Sequence, residues 1–229
     1  MITMQEWKAM SCNDKTTWLE DNFLASNMSL AKRGLVYGVG VNDAPYQTQP
    51  IINGKQVACP AYQAWAGMLE RAYSAKYHAK NPTYSGVTVC DEWNSFMAFR
   101  RWWIENQVDG HQIDKDLLSD DGVYSPNTCL FVPRLLNTFT IDCGAARGEW
   151  PIGVCFESSC GRFRADCGNP VSGKRVWLGY FDTPEEAHAA WRKCKLELAL
   201  ELKPKMDEIN LRIYPRVIEI INNQSKEMI

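Results

Sequence analysis

The sequence predicts an α+β protein: a strand–strand–helix (ββα) unit with flanking helices, then a three-stranded antiparallel sheet packed on one helix. Three observations carry this expectation. First, "QIDKDLL" and "CLFVP" are short strand-like runs joined by a long polar turn, and "RLLNTFTI" after them reads as a short helix. Second, "IGVCFE", "RFRADC" and "KRVWLGYF" are strand-like runs punctuated by Gly161 and by "GNPVSG". Third, "DTPEEAHAAWRKCKLELALEL" carries helix-start chemistry, with Thr183 as N-cap, Pro184 at the first helical position and Glu186 completing a capping box.

Composition narrows the class. A chain of 229 residues suits one large or two small domains, and 45% hydrophobic with 23% charged residues is a folding composition. The formal net charge of -2 excludes a uniformly basic nucleic-acid binder and leaves a local basic face open. The nine cysteines are odd in number and include no C-x-x-C pair, so neither a complete disulfide framework nor a structural zinc site is expected. With no secretory leader at the start and no apolar run of the ~20 residues needed to cross a bilayer, the expected home is the cytoplasm, away from membranes.

In chain order, residues 1–33 read as an accessory helical stretch ending near Gly34, within an N-terminal region of 1–58. "YGVGVND" reads as a strand entering a turn, since it lacks the Lys-Ser/Thr of a phosphate-binding loop. "CPAYQAWAGMLERAYS" is an amphipathic helix with Trp65, Leu69 and Tyr73 on one face. "KYHAKNPTYSG" reads as a loop, "VTV" as a strand, and Asp91 as the cap of a helix "EWNSFMAFRRWW". Trp93, Phe96, Arg100 and Trp103 share a face there, for core packing or, as the minority alternative, base stacking. "CGAARGEWP" (143–151) reads as a linker. Pro204 is expected to end the long helix, and 205–229 to form another, interrupted at Pro215.

Strand alternation makes a specific statement about the sheet. Arg162, Arg164 and Asp166 point one way and Phe163, Ala165 and Cys167 the other; Arg175 and Trp177 oppose Val176 and Leu178. The apolar set can pack on the small-residue face of the following helix. The open face then carries three arginines and a tryptophan. That is either a cation–π surface pair without function or a sheet that lies in the major groove of duplex DNA.

These same residues carry a resemblance. "GRFRAD" and "GKRVWLGYFDTPEEAHAAW" resemble the DNA-binding domain of Apetala-type ethylene-response factors, over about residues 150–200. The resemblance implies a DNA-binding domain at 150–203, a C-terminal extension at 204–229, and Arg162, Arg164, Arg175 and Trp177 as DNA contacts. "GVCFES" departs from the family by lacking arginine, which implies weaker or broader specificity.

The 59–142 segment resembles phage HNH endonucleases often fused to that domain, through "WAGMLERAY", "YSGVTVCDEW", "IDKDLL" and "GVYSPNTCLFVP". In that family an Asp-His pair opens the first strand, an Asn stands at the second, and a His or Asn on the helix completes the site. By position, the resemblance makes Asp114 the metal-binding Asp, puts Lys115 where the His stands and Thr128 where relatives have Asn, and matches Asn137 to the helix. A lysine at its reference pKa of ~10.4 is a poor base at neutral pH and would instead clamp a phosphate. His111 is the nearby candidate base, and alternation puts Asp114 and Asp116 together as ligands for a divalent metal, Mg²⁺. Against these stands the plain reading of solvated charges on a short strand. The resemblance implies a metal-dependent homing-type endonuclease of a phage, cleaving or nicking double-stranded DNA. Two alternatives are a catalytically inactive DNA-binding regulator and an adaptor for a host protein with Trp177 as its anchor.

Overall fold

A computed structural model describes residues 2–141 and 149–224. Most of the expected linker, from 143 to 148, lies outside them. The chain divides into two units, Met1–Phe131 and Val132–Ile229. It is a mixed helix and sheet protein with one three-stranded antiparallel sheet among the described residues.

The first unit starts with three short helices, α1 (Met4–Ala9), α2 (Cys12–Asn22) and α3 (Asn27–Ala31), where the sequence suggested one helical stretch. The breaks are chemical: Ser11 and Ser26 each turn the chain and cap the next helix through the side-chain oxygen. The loop that follows is held by Arg33, whose guanidinium donates to the carbonyls of Asn42, Ala44 and Tyr46 at 2.9, 2.6 and 2.7 Å. A hairpin, β1 (Ile51–Ile52) and β2 (Lys55–Gln56), turns at Asn53 and Gly54, both with positive φ. Leu19, Tyr46, Ile52 and Val57 are buried in the same core as Trp65 and Phe99. The first 58 residues are therefore part of this unit rather than an accessory to it.

Helix α4 (Pro60–Tyr73) buries Trp65, Met68 and Leu69, as its periodicity predicts. Gly40 lies against it, where an added Cβ would stand 2.3 Å from Leu69 and 2.7 Å from Trp65, so the glycine of "YGVGVND" serves close packing. The expected loop after α4 is instead helix α5 (Ala75–Lys80) and a 3₁₀ turn (Pro82–Tyr84). Ser74 caps α5 by accepting from the Tyr77 amide at 3.2 Å, which local composition concealed. Asp91 does not cap the next helix. Residues Asp91–Asn94 form a 3₁₀ turn, and α6 (Phe96–Asn106) starts from Ser95, which accepts from Ala98 N at 3.1 Å. Asp43 completes that cap, accepting from Ser95 Oγ at 2.6 Å and Met97 N at 2.8 Å. Trp93, Phe96 and Trp103 are buried, with Trp65 Nε1 donating to the Trp93 carbonyl at 2.7 Å, so these aromatics are core and not a stacking platform.

Strand β3 (Thr88–Val89) pairs in parallel with β5 (Val123–Tyr124). Strand β4 (His111–Asp114) has β6 (Leu130–Pro133) as its neighbour, the strand in which the first unit ends. The short helix expected next is one turn, α7 (Arg134–Asn137), in the second unit.

The second unit holds the antiparallel sheet β7 (Val154–Glu157), β8 (Arg162–Asn169) and β9 (Lys174–Phe181), in that order. Helix α8 (Pro184–Ile209) covers one face, burying Ala187 and Trp191. Thr183 accepts from Glu186 N at 3.2 Å as predicted, while Glu186 reaches past the cap to the Asp182 amide at 3.3 Å. Pro204 does not end α8. It removes only the bond to the carbonyl four residues back, on Leu200, a residue 60% exposed where water can satisfy the oxygen. The real break is at Asn210, whose carbonyl accepts from Ile213 N at 3.0 Å and whose side chain accepts from Arg212 N at 2.9 Å. Helix α9 (Ile213–Asn223) follows, with Pro215 tolerated in its first turn, where its missing N–H has no helical partner to lose. Ile213, Val217 and Ile221 of α9 are buried. Among the described residues no helix is long and apolar enough to cross a membrane.

Candidate nucleic-acid interface

The sheet places its charged residues as alternation predicts. Phe163, Ala165 and Cys167 face α8, and Ala165 and Cys167 are fully buried. On the opposite face Trp177 is 64% exposed. Arg162, Arg164 and Arg175 share that face, since Arg164 and Asp166 lie on β8 opposite Tyr180 and Trp177 of β9. The last two registers hold a residue that alternation alone misses. Ala165 pairs with Gly179 but Asp166 pairs with Trp177, so Leu178 is an extra residue in β9. This bulge flips the later part of the strand and brings Tyr180, 40% exposed, onto the face of Trp177. Their rings meet edge to face at 6.1 Å.

Each arginine has a carboxylate beside it. Arg162 Nε donates to Asp182 Oδ1 at 2.9 Å. Asp166 sits between two arginines, with Arg175 Nη1 at 2.7 Å and Arg164 Nε at 3.3 Å from its oxygens. Glu157 on β7 is 3.9 Å from Arg164 Nη1. Asp166 is only 13% exposed against 79% for Arg175, so the carboxylate is a fixed post and the guanidinium its mobile partner. The Arg162–Asp182 pair is exposed on both sides and contributes about 0–1 kcal/mol, so a phosphate oxygen can take that carboxylate's place at little cost. Cys155 stands opposite Arg164 on the edge strand.

The other predicted cluster is built differently. Asp114 is half-buried at the end of β4, and the surrounding protein raises its carboxyl above the ordinary value. Its Oδ1 accepts from the amides of Asp116 at 2.9 Å and Leu117 at 2.8 Å, so the carboxylate shapes the turn that follows. The strand stops at Asp114, and the turn, not alternation, brings Asp116 near it. Lys115 is 7% exposed. Its ammonium lies 5.9 and 5.8 Å from the ring centres of Tyr84 and Tyr124 and is ion-paired with Asp116. Arg71 donates to the Tyr124 hydroxyl at 2.8 Å and stands over its ring. Arg71, Tyr84 and Tyr124 come from distant segments, and no local signal joins them to Lys115. Burial raises both tyrosine hydroxyls.

His111 is three residues before Asp114 on one strand, an odd spacing that turns the two side chains to opposite faces. Its Nδ1 lies 3.4 Å from the Asp109 carbonyl. Asn137 is on α7 of the second unit. Thr128 staples a turn, donating to the Val123 carbonyl at 2.6 Å and accepting from the Ser125 amide at 3.0 Å. Among the described residues no three His, Cys, Asp or Glu side chains converge. The donor chemistry of Asp114 and Asp116 fits a divalent cation poorly: one oxygen is engaged by two amides, and the other carboxylate is neutralised by a buried ammonium that would repel a second cation. No family model matches the chain, and no solved structure matches it.

Proposed function

We propose that this protein binds duplex DNA through the open face of β7–β9, in the manner of the Apetala-type domains it resembles. One observation carries the reading: Arg162, Arg164, Arg175, Trp177 and Tyr180 share a single solvent-facing surface on a rigid sheet. Arginine forks suit phosphate oxygens and the guanine edge, and the exposed aromatics suit sugar or a thymine methyl. Binding measured by fluorescence anisotropy should weaken with salt. If all three arginines displace counterions, the logarithmic slope is about -2.7, or 0.9 per phosphate. Duplex binding that is absent at low salt, or insensitive to removal of these arginines, would overturn the reading.

Metal-dependent cleavage is the second reading, favoured by one observation: Asp114 and Asp116 stand together at the end of β4, ahead of a strand and a helix in the order of the HNH unit. Its test is plasmid cleavage with Mg²⁺ or Mn²⁺ by the wild type and by Asp114→Asn, which keeps an acceptor for the turn amides but loses the charge. Cleavage lost in the variant supports it; no cleavage with either metal, by a protein that binds DNA, leaves the first unit as scaffold.

A further inference from the structure

At the tip of the β8–β9 hairpin the second unit holds a cavity of about 270 Å³ that the sheet face does not account for. Phe139, Asn169, Lys174, Arg175 and Lys195 are among its walls; three of these are cations, and no carboxylate lines it. Lys195 is the unusual member. It projects from α8, half-buried, with its ammonium 3.9 Å from the Phe139 ring centre. Among the described residues no carboxylate pairs with it. Lysines in such places normally carry their heads out to water, and a buried charge without a partner is costly. Burial accordingly pulls the Lys195 pKa down, and its nearest titratable neighbours are the thiols of Cys167 and Cys194. The Cys167 thiol is a poor counter-ion, since burial pushes it up to about 12. The cavity is thus lined by lysines with no carboxylate among its walls.

The geometry points to a phosphate-binding pocket whose charge is supplied by Lys174 and Lys195, with Arg175 a wall residue whose guanidinium is held by Asp166. Two lysines lining a single cavity suit a tetrahedral oxyanion, since an ammonium is a compact point charge without the planar fork that matches a carboxylate. At about 30 Å³ per water, the cavity has room for the ion and several waters. Arg175 is a wall residue here and carries its guanidinium on the open sheet face, so the pocket adjoins the surface of the DNA reading. The same chemistry serves a phosphodiester of bound DNA or a free phosphate. Only the first source rests on the DNA reading.

Two measurements on the full chain separate these cases. Inorganic phosphate is titrated against sodium chloride at equal ionic strength while thermal unfolding is followed in wild type, Lys195→Met and Lys174→Gln. Duplex binding is then measured across a salt series for the same proteins. A pocket for free phosphate raises the wild-type midpoint above the chloride control and does so less in both variants. A pocket for backbone phosphate lowers the salt slope by about 0.9 in each variant. If Lys195→Met fails to fold, Lys174→Gln, at an exposed position, decides both arms. The pocket is refuted if phosphate gives no protection and the slope stays at its wild-type value, which leaves the sheet reading standing. If the wild type binds no DNA, the sheet reading fails alone, and the phosphate titration by itself accepts or rejects the pocket.

Discussion

Two clusters of charge in this protein have similar sequence signatures and opposite physical states. "GRFRAD" puts Arg162, Arg164 and Asp166 into a sheet face open to water, with Arg162 and its partner Asp182 exposed and Asp166 set lower between Arg164 and Arg175. "IDKD" puts Lys115 between two tyrosine rings and commits Asp114 to the amides of a turn. The Arg162–Asp182 pair is exposed at both partners, and such pairs contribute about 0–1 kcal/mol, whereas the Lys115 ammonium is buried and only its partner Asp116 reaches water. Charge pattern alone therefore does not mark a site. What separates recognition from architecture here is whether the charge is still available to a newcomer.

The strongest way to break the comparison is to remove the platform beneath the sheet. Gly153 has φ +81°, and an added Cβ would fall 2.1 Å from Trp191 on α8. Gly153→Ala combines a left-handed backbone with a collision against a buried ring, and should cost about 4 kcal/mol. Denaturant unfolding followed by near-ultraviolet circular dichroism reads the loss, and duplex binding should fall with it. Retained stability would mean that the strand entry at Gly153 can shift, and the sheet face would then not be the fixed surface argued above.

On the other side, Thr128→Val tests whether the turns around the "IDKD" cluster are architectural. The substitution preserves shape but leaves the Val123 carbonyl and the Ser125 amide without their partner, at a cost of about 2 kcal/mol. Stability should drop while duplex affinity stays within twofold. Trp177→Ala should do the reverse. Its side chain is largely in water, so stability should move by less than about 0.5 kcal/mol while duplex affinity falls about tenfold. A stability loss without an affinity loss would make Trp177 a packing residue of its neighbour along the same strand, Tyr180, and would sink the interface.

The two regions also differed in how much the sequence disclosed. The sheet and α8 were legible because their signals are local: period-two alternation, glycine turns, and the Thr183–Pro184 start. Tyr180 was hidden because a bulge at Leu178 breaks the period that alternation relies on. Pro204 misled because a proline can be carried inside a helix, here with the residue four back, Leu200, exposed to water. In the first unit the Asn53–Gly54 hairpin carries a strong local signal, yet it was not among the elements the sequence predicted. The surroundings of Lys115 carry no such signal, since Arg71, Tyr84 and Tyr124 meet it only through tertiary packing. Alternation paired Asp114 with Asp116 for the wrong reason, because β4 ends before the pair is complete.

The gentlest test concerns Asp114 itself. Burial raises its carboxyl above the ordinary aspartate value, so the folded protein holds that proton more tightly than the unfolded chain does. The stability this contributes is fully present below the unfolded value of about 3.9 and is lost as pH rises through the higher folded value. Asp114→Asn cannot ionise, yet its oxygen can still accept from the Asp116 and Leu117 amides. Denaturant midpoints measured from acid to neutral pH should therefore fall through this window in the wild type and stay flatter in the variant, which ends up the more stable at neutral pH. A wild type whose midpoint instead rises through the same window, relative to the variant, would show that the ionised carboxylate is the favoured form. Asp114 would then be held charged by its surroundings, as a cation ligand must be, and the contrast between the two clusters would narrow to Lys115 alone.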